Sequence, residues 1–228
     1  MTSVSTSRRV LETAFLGTVP YDEAVAMQEA RREAVIGKAA PDALLMLEHP
    51  HVFTVGRNAS ESDVLADASW LESRSVSVAR SSRGGQVTYH GPGQLVGYPI
   101  VDLSPDRQDI RRYVRDLQEV LLRTLGHFGI EAKPRRAQPE IGVWVGERKV
   151  ASIGVHIRKW VTLHGFALNV STDLSFFDGI VACGLDRVEM ASIESLTGRT
   201  PPLPEVAEVV GGHFAEVFDR SSVPEALR

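Results

Sequence analysis

Ile141-Gly-Val-Trp-Val145, Lys149-Val-Ala-Ser-Ile-Gly-Val-His-Ile157 and Val161-Thr-Leu-His-Gly-Phe-Ala-Leu-Asn-Val170 follow one another with no helical segment between them. The first two read as a hairpin turning near Gly146, and the third as a further strand. A doubly wound parallel sheet would place a helix after each strand. This order instead predicts a mixed β-sheet with helices packed on it, an α/β protein of the α+β type. Working outward, residues 21–37 read as a helix, with Pro20, Asp22 and Glu23 suited to its first turn and Gly37 to its end. Ala43–Glu48, Val52–Gly56 and Ser75–Arg80 read as strands. Gln94–Leu103 reads as a buried strand in which Pro99 marks an edge or a bulge. Asp109–Phe128 is the clearest helix. Ile110, Tyr113, Val114, Leu117, Val120, Leu121, Thr124, Leu125 and Phe128 recur at steps of three and four, and Gly129 ends it. A last helix is expected near 205–218, and the residues from Arg220 onward are expected to fray.

The chain has 228 residues, 43% apolar and 24% charged, with a formal net charge of −4. That length suits one domain with a substantial core, and no repeat or linker divides it. The charge gives no case for nucleic-acid binding, no stretch is apolar enough to span a membrane, and Met1–Arg9 lacks the apolar centre of a secretory signal. Cys183 is the only cysteine. No internal disulfide can form, which favours a reducing cytoplasm, and a lone cysteine is a candidate nucleophile or a small buried hydrophobe.

Four segments carry chemistry. Arg83-Gly-Gly-Gln-Val-Thr-Tyr-His-Gly-Pro-Gly-Gln-Leu95 fits neither a Walker loop nor a dinucleotide fingerprint. Its glycines either let backbone approach a ligand or simply build a tight hairpin. Lys149 shares its strand phase with Ala151, Ile153, Val155 and Ile157, so it points to the apolar side. A desolvated lysine can act as a base; one at a strand end can also snorkel to water. Ile180-Val-Ala-Cys-Gly-Leu185 either exposes a thiol at a turn or buries it. Leu163-His-Gly-Phe-Ala-Leu-Asn169 keeps one strand face small, which leaves room for an alkyl chain or for a closely packed neighbour. Nucleophile, base, glycine-rich loop and narrow slot together make the parts of an acyl-transfer site.

These segments, in this order, resemble the octanoyltransferase (lipoyl/octanoyl transferase) family. The likeness runs from about Leu44 to Leu196 and includes Glu48-His-Pro-His-Val-Phe-Thr-Val-Gly-Arg57, Arg83–Tyr98, Gly142-Val-Trp-Val145, Lys149–Val155, Leu163–Val170 and Cys183-Gly-Leu185. The resemblance implies a single catalytic domain over residues 1–228, with the fold of biotin and lipoate protein ligases. It implies Cys183 as acyl-bearing nucleophile and Lys149 as its activating partner. Arg83, Gly84, Gly85, Gln86, Val87, Thr88, Tyr89 and His90 would line the acyl site, with Ser152, Ile153, Gly154, Gly165, Phe166 and Ala167 contacting substrate. Ala182 stands where the family usually has proline, which would fix the backbone entering the nucleophile.

The implied donor is octanoyl-acyl carrier protein. The implied acceptors are lipoyl domains of 2-oxoacid dehydrogenase complexes and the glycine cleavage H protein, with no ATP, cofactor or metal and a monomer as the expected state. Arg31 with Arg32, Arg111 and Arg112 with Arg115, Lys133 with Arg135 and Arg136, and Arg158 with Lys159 are candidates for docking acidic partners. An ATP-dependent lipoate or biotin ligase and a non-catalytic carrier-binding module are the rival readings; retention of both Lys149 and Cys183 weighs against each.

Overall fold

In the computed structural model, which describes residues 8–137, 140–181 and 188–224, two sheets carry the chain. The strands are β1 (Arg9–Thr18), β2 (Asp42–Glu48), β3 (Val52–Val55), β4 (Ser77–Arg80), β5 (Val87–His90), β6 (Gln94–Ile100), β7 (Lys133–Arg135), β8 (Gly142–Val145), β9 (Arg148–Arg158), β10 (Val161–Asn169) and β11 (Arg220–Pro224). The helices are α1 (Tyr21–Ile36), α2 (Ala68–Ser73), α3 (Ile110–His127), α4 (Ile193–Thr197) and α5 (Leu203–Phe218). The larger sheet runs β11-β1-β2-β6-β10-β9-β8-β7 and the smaller β4-β3-β5. β11, β1 and β2 pair in parallel, and from β2 to β7 every neighbour is antiparallel. The mixed sheet expected from the hairpin-rich middle of the chain is what forms.

Alternation along the central strands builds a core on each face. Leu44 and Met46 of β2 and Leu168 of β10 face the cluster under α3 and α5, whereas Ala43, Leu45 and Leu47 face α1. A sheet covered on both faces must be apolar at successive positions. β2 is buried along nearly its whole length. The third cluster lies under the small sheet, where Phe53, Tyr89, Phe176 and Phe177 meet.

Three expectations need correction. Pro99 lies in β6, between β2 and β10, and not at an edge. Its missing N–H is accommodated by a gap in the β6–β10 ladder between the Gly97–Phe166 and Asp102–Val161 pairs. Within that gap His164 takes φ 57° and turns its N–H to Gln28 Oε1 at 2.9 Å, while Thr162 Oγ1 donates to the Pro99 carbonyl at 2.7 Å. The chain beyond Arg220 does not fray at once, because β11 pairs with β1. Arg220 is buried there and donates from Nε to Asp42 Oδ2 at 2.9 Å. Lastly, Ile110 is 50% exposed rather than part of the core.

Candidate active site

Lys149 is the deepest charged side chain of the site, 2% exposed. Its place on β9 is held from the backbone: its N–H donates to the Glu189 carbonyl and its carbonyl accepts from Ala191 N–H, each at 2.9 Å. Its stem passes over Gly142 of the neighbouring strand. A Cβ at Gly142 would stand 2.5 Å from Lys149 Cε, so the lysine requires glycine there. The ammonium lies 5.6 Å from the Trp144 ring centroid, a distance at which the ring face attracts a cation.

Lys149 lines a cavity of about 630 Å³, a volume typical of small-ligand sites. One wall is made by Ser152, Ile153 and Gly154 of β9 and Gly165, Phe166 and Ala167 of β10. A second is the loop Arg83, Gly84, Gly85 and Gln86 with Val87, Thr88 and His90 of β5. Two contacts fix that loop. Gly84 N–H donates to the Val155 carbonyl at 3.0 Å, and Arg83 Nη2 donates to Thr54 O and Oγ1 at 2.7 and 2.8 Å.

All the residues expected to form the acyl site therefore border one cavity except two. Tyr89 is fully buried on the other face of β5, its hydroxyl 2.8 Å from His51 Nδ1 and its ring stacked on Phe176. Cys183 and Ala182 lie outside the described residues. The described chain on either side of them is pinned: Val181 N–H donates to the Asp63 carbonyl at 2.8 Å, and residues 189–191 pair with Lys149.

Sequence reasoning missed a third wall. Ile110, Arg111, Val114, Arg115 and Gln118 of α3, with Asn58, Arg136, Ile141 and Val155, complete the cavity. An apolar helical stripe marks the side that faces inward, but not whether core or cavity lies opposite it. Of the docking candidates, Arg32 is buried and paired with Glu29, Arg31 pairs with Glu12, and Arg158 pairs with Glu33. Arg135 joins Glu140 and Glu147 and lies over Trp144.

Beneath the loop runs a buried polar network. His90 Nδ1 donates to Gln94 Oε1 at 2.7 Å, Gln94 Nε2 donates to Asn169 Oδ1 at 2.9 Å, and Asn169 Nδ2 donates to the Ala191 carbonyl at 3.0 Å. It ties the cavity's histidine to the residue that pairs with Lys149. Burial, together with the nearby His49 and Arg83, takes His90 well below the usual imidazole range. Burial takes His49 down to about 4, and burial with the Arg83 charge takes His164 down to about 3.

These imidazoles are neutral when folded. The unfolded chain binds their protons near pH 6.5, so stability is full above that pH and is lost as pH falls toward 4. His49 alone contributes about 3 kcal/mol of this loss. The melting temperature is expected to drop by about 10 °C between pH 7 and 4.5; a flat profile over that range would contradict buried neutral histidines. Among the described residues no cluster of His, Cys, Asp and Glu could hold a metal ion, and no helix is long and apolar enough to cross a membrane.

The chain thus combines a mixed sheet flanked by helices with a buried lysine that lines an apolar, glycine-rich cavity. Residues 20–215 match the lipoyl protein ligase A/B catalytic domain family. An octanoyltransferase of Solibacter usitatus is 49% identical over 92% of this chain and 94% of its own. One of Caldicellulosiruptor bescii is 45% identical over 92% of each. Among solved structures, a bipartite lipoate protein ligase of Thermoplasma acidophilum superposes with a TM-score of 0.74, at 20% identity, over 97% of this chain and 88% of that one. The biotin protein ligase of Aquifex aeolicus gives 0.54 at 13%, over 91% and 70%. These two speak to the fold alone. The chain belongs to the octanoyltransferase family, within the lipoyl protein ligase A/B catalytic-domain fold.

Proposed function

We propose that this protein is an acyltransferase that moves an octanoyl group from a carrier-protein thioester to the lysine of a lipoyl domain through an acyl-cysteine at Cys183. The observation that carries the reading is Lys149, buried at an apolar cavity large enough for a medium acyl chain. A buried amine is costly to remove from water. Here it lies in the backbone ladder that leads directly out of the segment holding Cys183.

In the first half-reaction Lys149 Nζ takes the Cys183 thiol proton, and the resulting ammonium faces the thiolate. The thiolate adds to the thioester carbonyl. The tetrahedral centre then collapses with cleavage of the C–S bond to the carrier, whose thiolate is protonated from Lys149. In the second half-reaction the neutral acceptor amine adds to the acyl-cysteine and passes its proton to Lys149 Nζ, the Cys183 thiolate leaves as the C–S bond breaks, and an amide forms. Passing from thioester to amide is downhill, so no ATP enters. The wall of Gly154, Gly165, Phe166 and Ala167 holds the alkyl chain. The domain is expected to work in the cytoplasm, with lipoyl domains of 2-oxoacid dehydrogenase complexes and the glycine cleavage H protein as acceptors.

Intact-mass measurement tests this directly. After mixing with octanoyl-carrier protein, without ATP or acceptor, the protein should gain one octanoyl group. The group should be absent in Cys183→Ser and should discharge onto a lipoyl domain. Acylation of the domain only when free octanoate and ATP are supplied would make the protein a ligase.

A further inference from the structure

We propose that the α3 wall of the cavity recognises the phosphopantetheine arm of the acyl donor, with Arg111 and Arg115 forming a subsite for its phosphodiester. The proposal rests on the octanoyl-transfer reading above and extends it to residues that the resemblance does not assign to the acyl site.

The cavity walls differ in chemistry. The β9–β10 wall is small and apolar where an alkyl chain would lie, and it has no use for arginines. The α3 wall presents Arg111 and Arg115, one helical turn apart, and Arg136 also lines the cavity. Arg111 and Arg136 make no ion pair among the described residues, and Arg115 makes only a 3.9 Å contact with Asp109, both side chains about half exposed. Arg111 and Arg115 stand in the first two turns of the 18-residue helix α3, whose N-terminus is capped by the Asp109 side chain, and Arg136 comes from the segment after β7. Guanidinium pairs suit an anionic oxygen group such as a phosphodiester and have no use for an alkyl chain.

A second observation is independent of charge. Gln118 is 1% exposed and lines the same cavity. Its Nε2 donates to the carbonyls of Arg135 and Gly142 at 2.8 and 3.0 Å, which sets the orientation of the amide. Oε1 is then buried with no hydrogen-bond partner. Native proteins rarely leave such an acceptor unfilled, and here a ligand N–H would fill it.

The order along the wall matches one molecule. Lys149 lies beside Gly142, Gly142 holds Gln118, and Arg111 is seven residues up the helix from Gln118, about 10 Å at 1.5 Å per residue. A phosphopantetheine thioester presents the same sequence of groups: reacting carbonyl and sulfur, then amide N–H, then phosphodiester.

The test compares octanoyl-phosphopantetheine with octanoyl-pantetheine as donors to a lipoyl domain. The native protein should prefer the phosphate-bearing donor by about tenfold in kcat/KM, the scale of one good charge-assisted contact. The ratio should fall toward one in Arg111→Ala/Arg115→Ala and recover in the double lysine variant. It should persist in Arg112→Ala, whose side chain turns to Asp106 and Asp116 instead. Equal use of both donors by the native protein, or a preference that survives the double alanine variant, overturns the subsite and leaves octanoyl transfer standing. Arginine variants that affect only octanoate activation with ATP would assign the cations to a nucleotide and overturn it too. No transfer from either donor removes both readings.

Discussion

Lys149→Met protein should fold as well as the native chain and lose acylation of Cys183 by about a thousandfold, the scale of a positioned proton acceptor. Methionine fills nearly the same volume and keeps the stem packed over Gly142. The variant should therefore still melt cooperatively while the acyl-enzyme disappears. A folded protein without acylation separates a catalytic lysine from a structural one. Cys183→Ala should abolish the adduct altogether. A Lys149→Met protein that acylates at the native rate would remove the lysine from the mechanism, and turnover in Cys183→Ala would remove the covalent intermediate.

Gly165→Ala should destabilise the protein by about 3 kcal/mol, the upper range for overpacking a tight site. A Cβ there would stand 2.2 Å from the Gly97 carbonyl oxygen and 2.5 Å from Pro99 Cδ. The first is backbone and the second a proline ring, so neither can swing aside. β6 and β10 must separate instead, and the Phe166 ring, which lies on Gly97, moves with them. Octanoyl binding should weaken along with stability because Gly165, Phe166 and Ala167 share one wall of the cavity. Gly212→Ala supplies the contrast. It lies within α5 with nothing within 4 Å of the added methyl, so it should stabilise by about 0.5–1 kcal/mol. Thermal melts of the two variants check both signs; a Gly165→Ala protein melting with the native one would mean that the sheet is looser than this packing implies.

The same close approach explains what could be read in advance and what could not. α3 and α5 announced themselves by apolar residues at steps of three and four, and the β8–β9–β10 succession by runs with no helix between. α1 was legible from its ends. Its buried stripe is Tyr21, Ala24, Gln28, Arg32 and Val35, and two of those five would be counted polar. Gln28 is buried because His164 N–H needs an acceptor where the ladder opens opposite Pro99. No periodicity in α1 can signal a demand made by a strand 136 residues away. β11 was missed for the same kind of reason: Arg220-Ser-Ser-Val-Pro224 has weak strand character, and it is held by pairing with β1 and by the Asp42 carboxylate.

At the site, the sequence by itself named Cys183 and Lys149 as candidate reacting groups and marked the glycine-rich loop, because those readings depend on residue type and order along the chain. Alternation alone did not decide where Lys149 points, because the β8–β9 register shifts by one residue between Lys149 and Ala151. Only the tertiary structure decided that Tyr89 serves the aromatic core while Thr88 and His90 border the cavity, since burial of each face of β5 depends on what packs there. It alone decided that α3 supplies a third wall, because an apolar stripe is written identically whether core or ligand lies opposite. It also decided which arginines are free to meet an anion: Arg31, Arg32, Arg135 and Arg158 are taken up by carboxylates brought close by the fold, and Arg111 is not. Charge is a property of the residue, whereas its availability is a property of its neighbours in space.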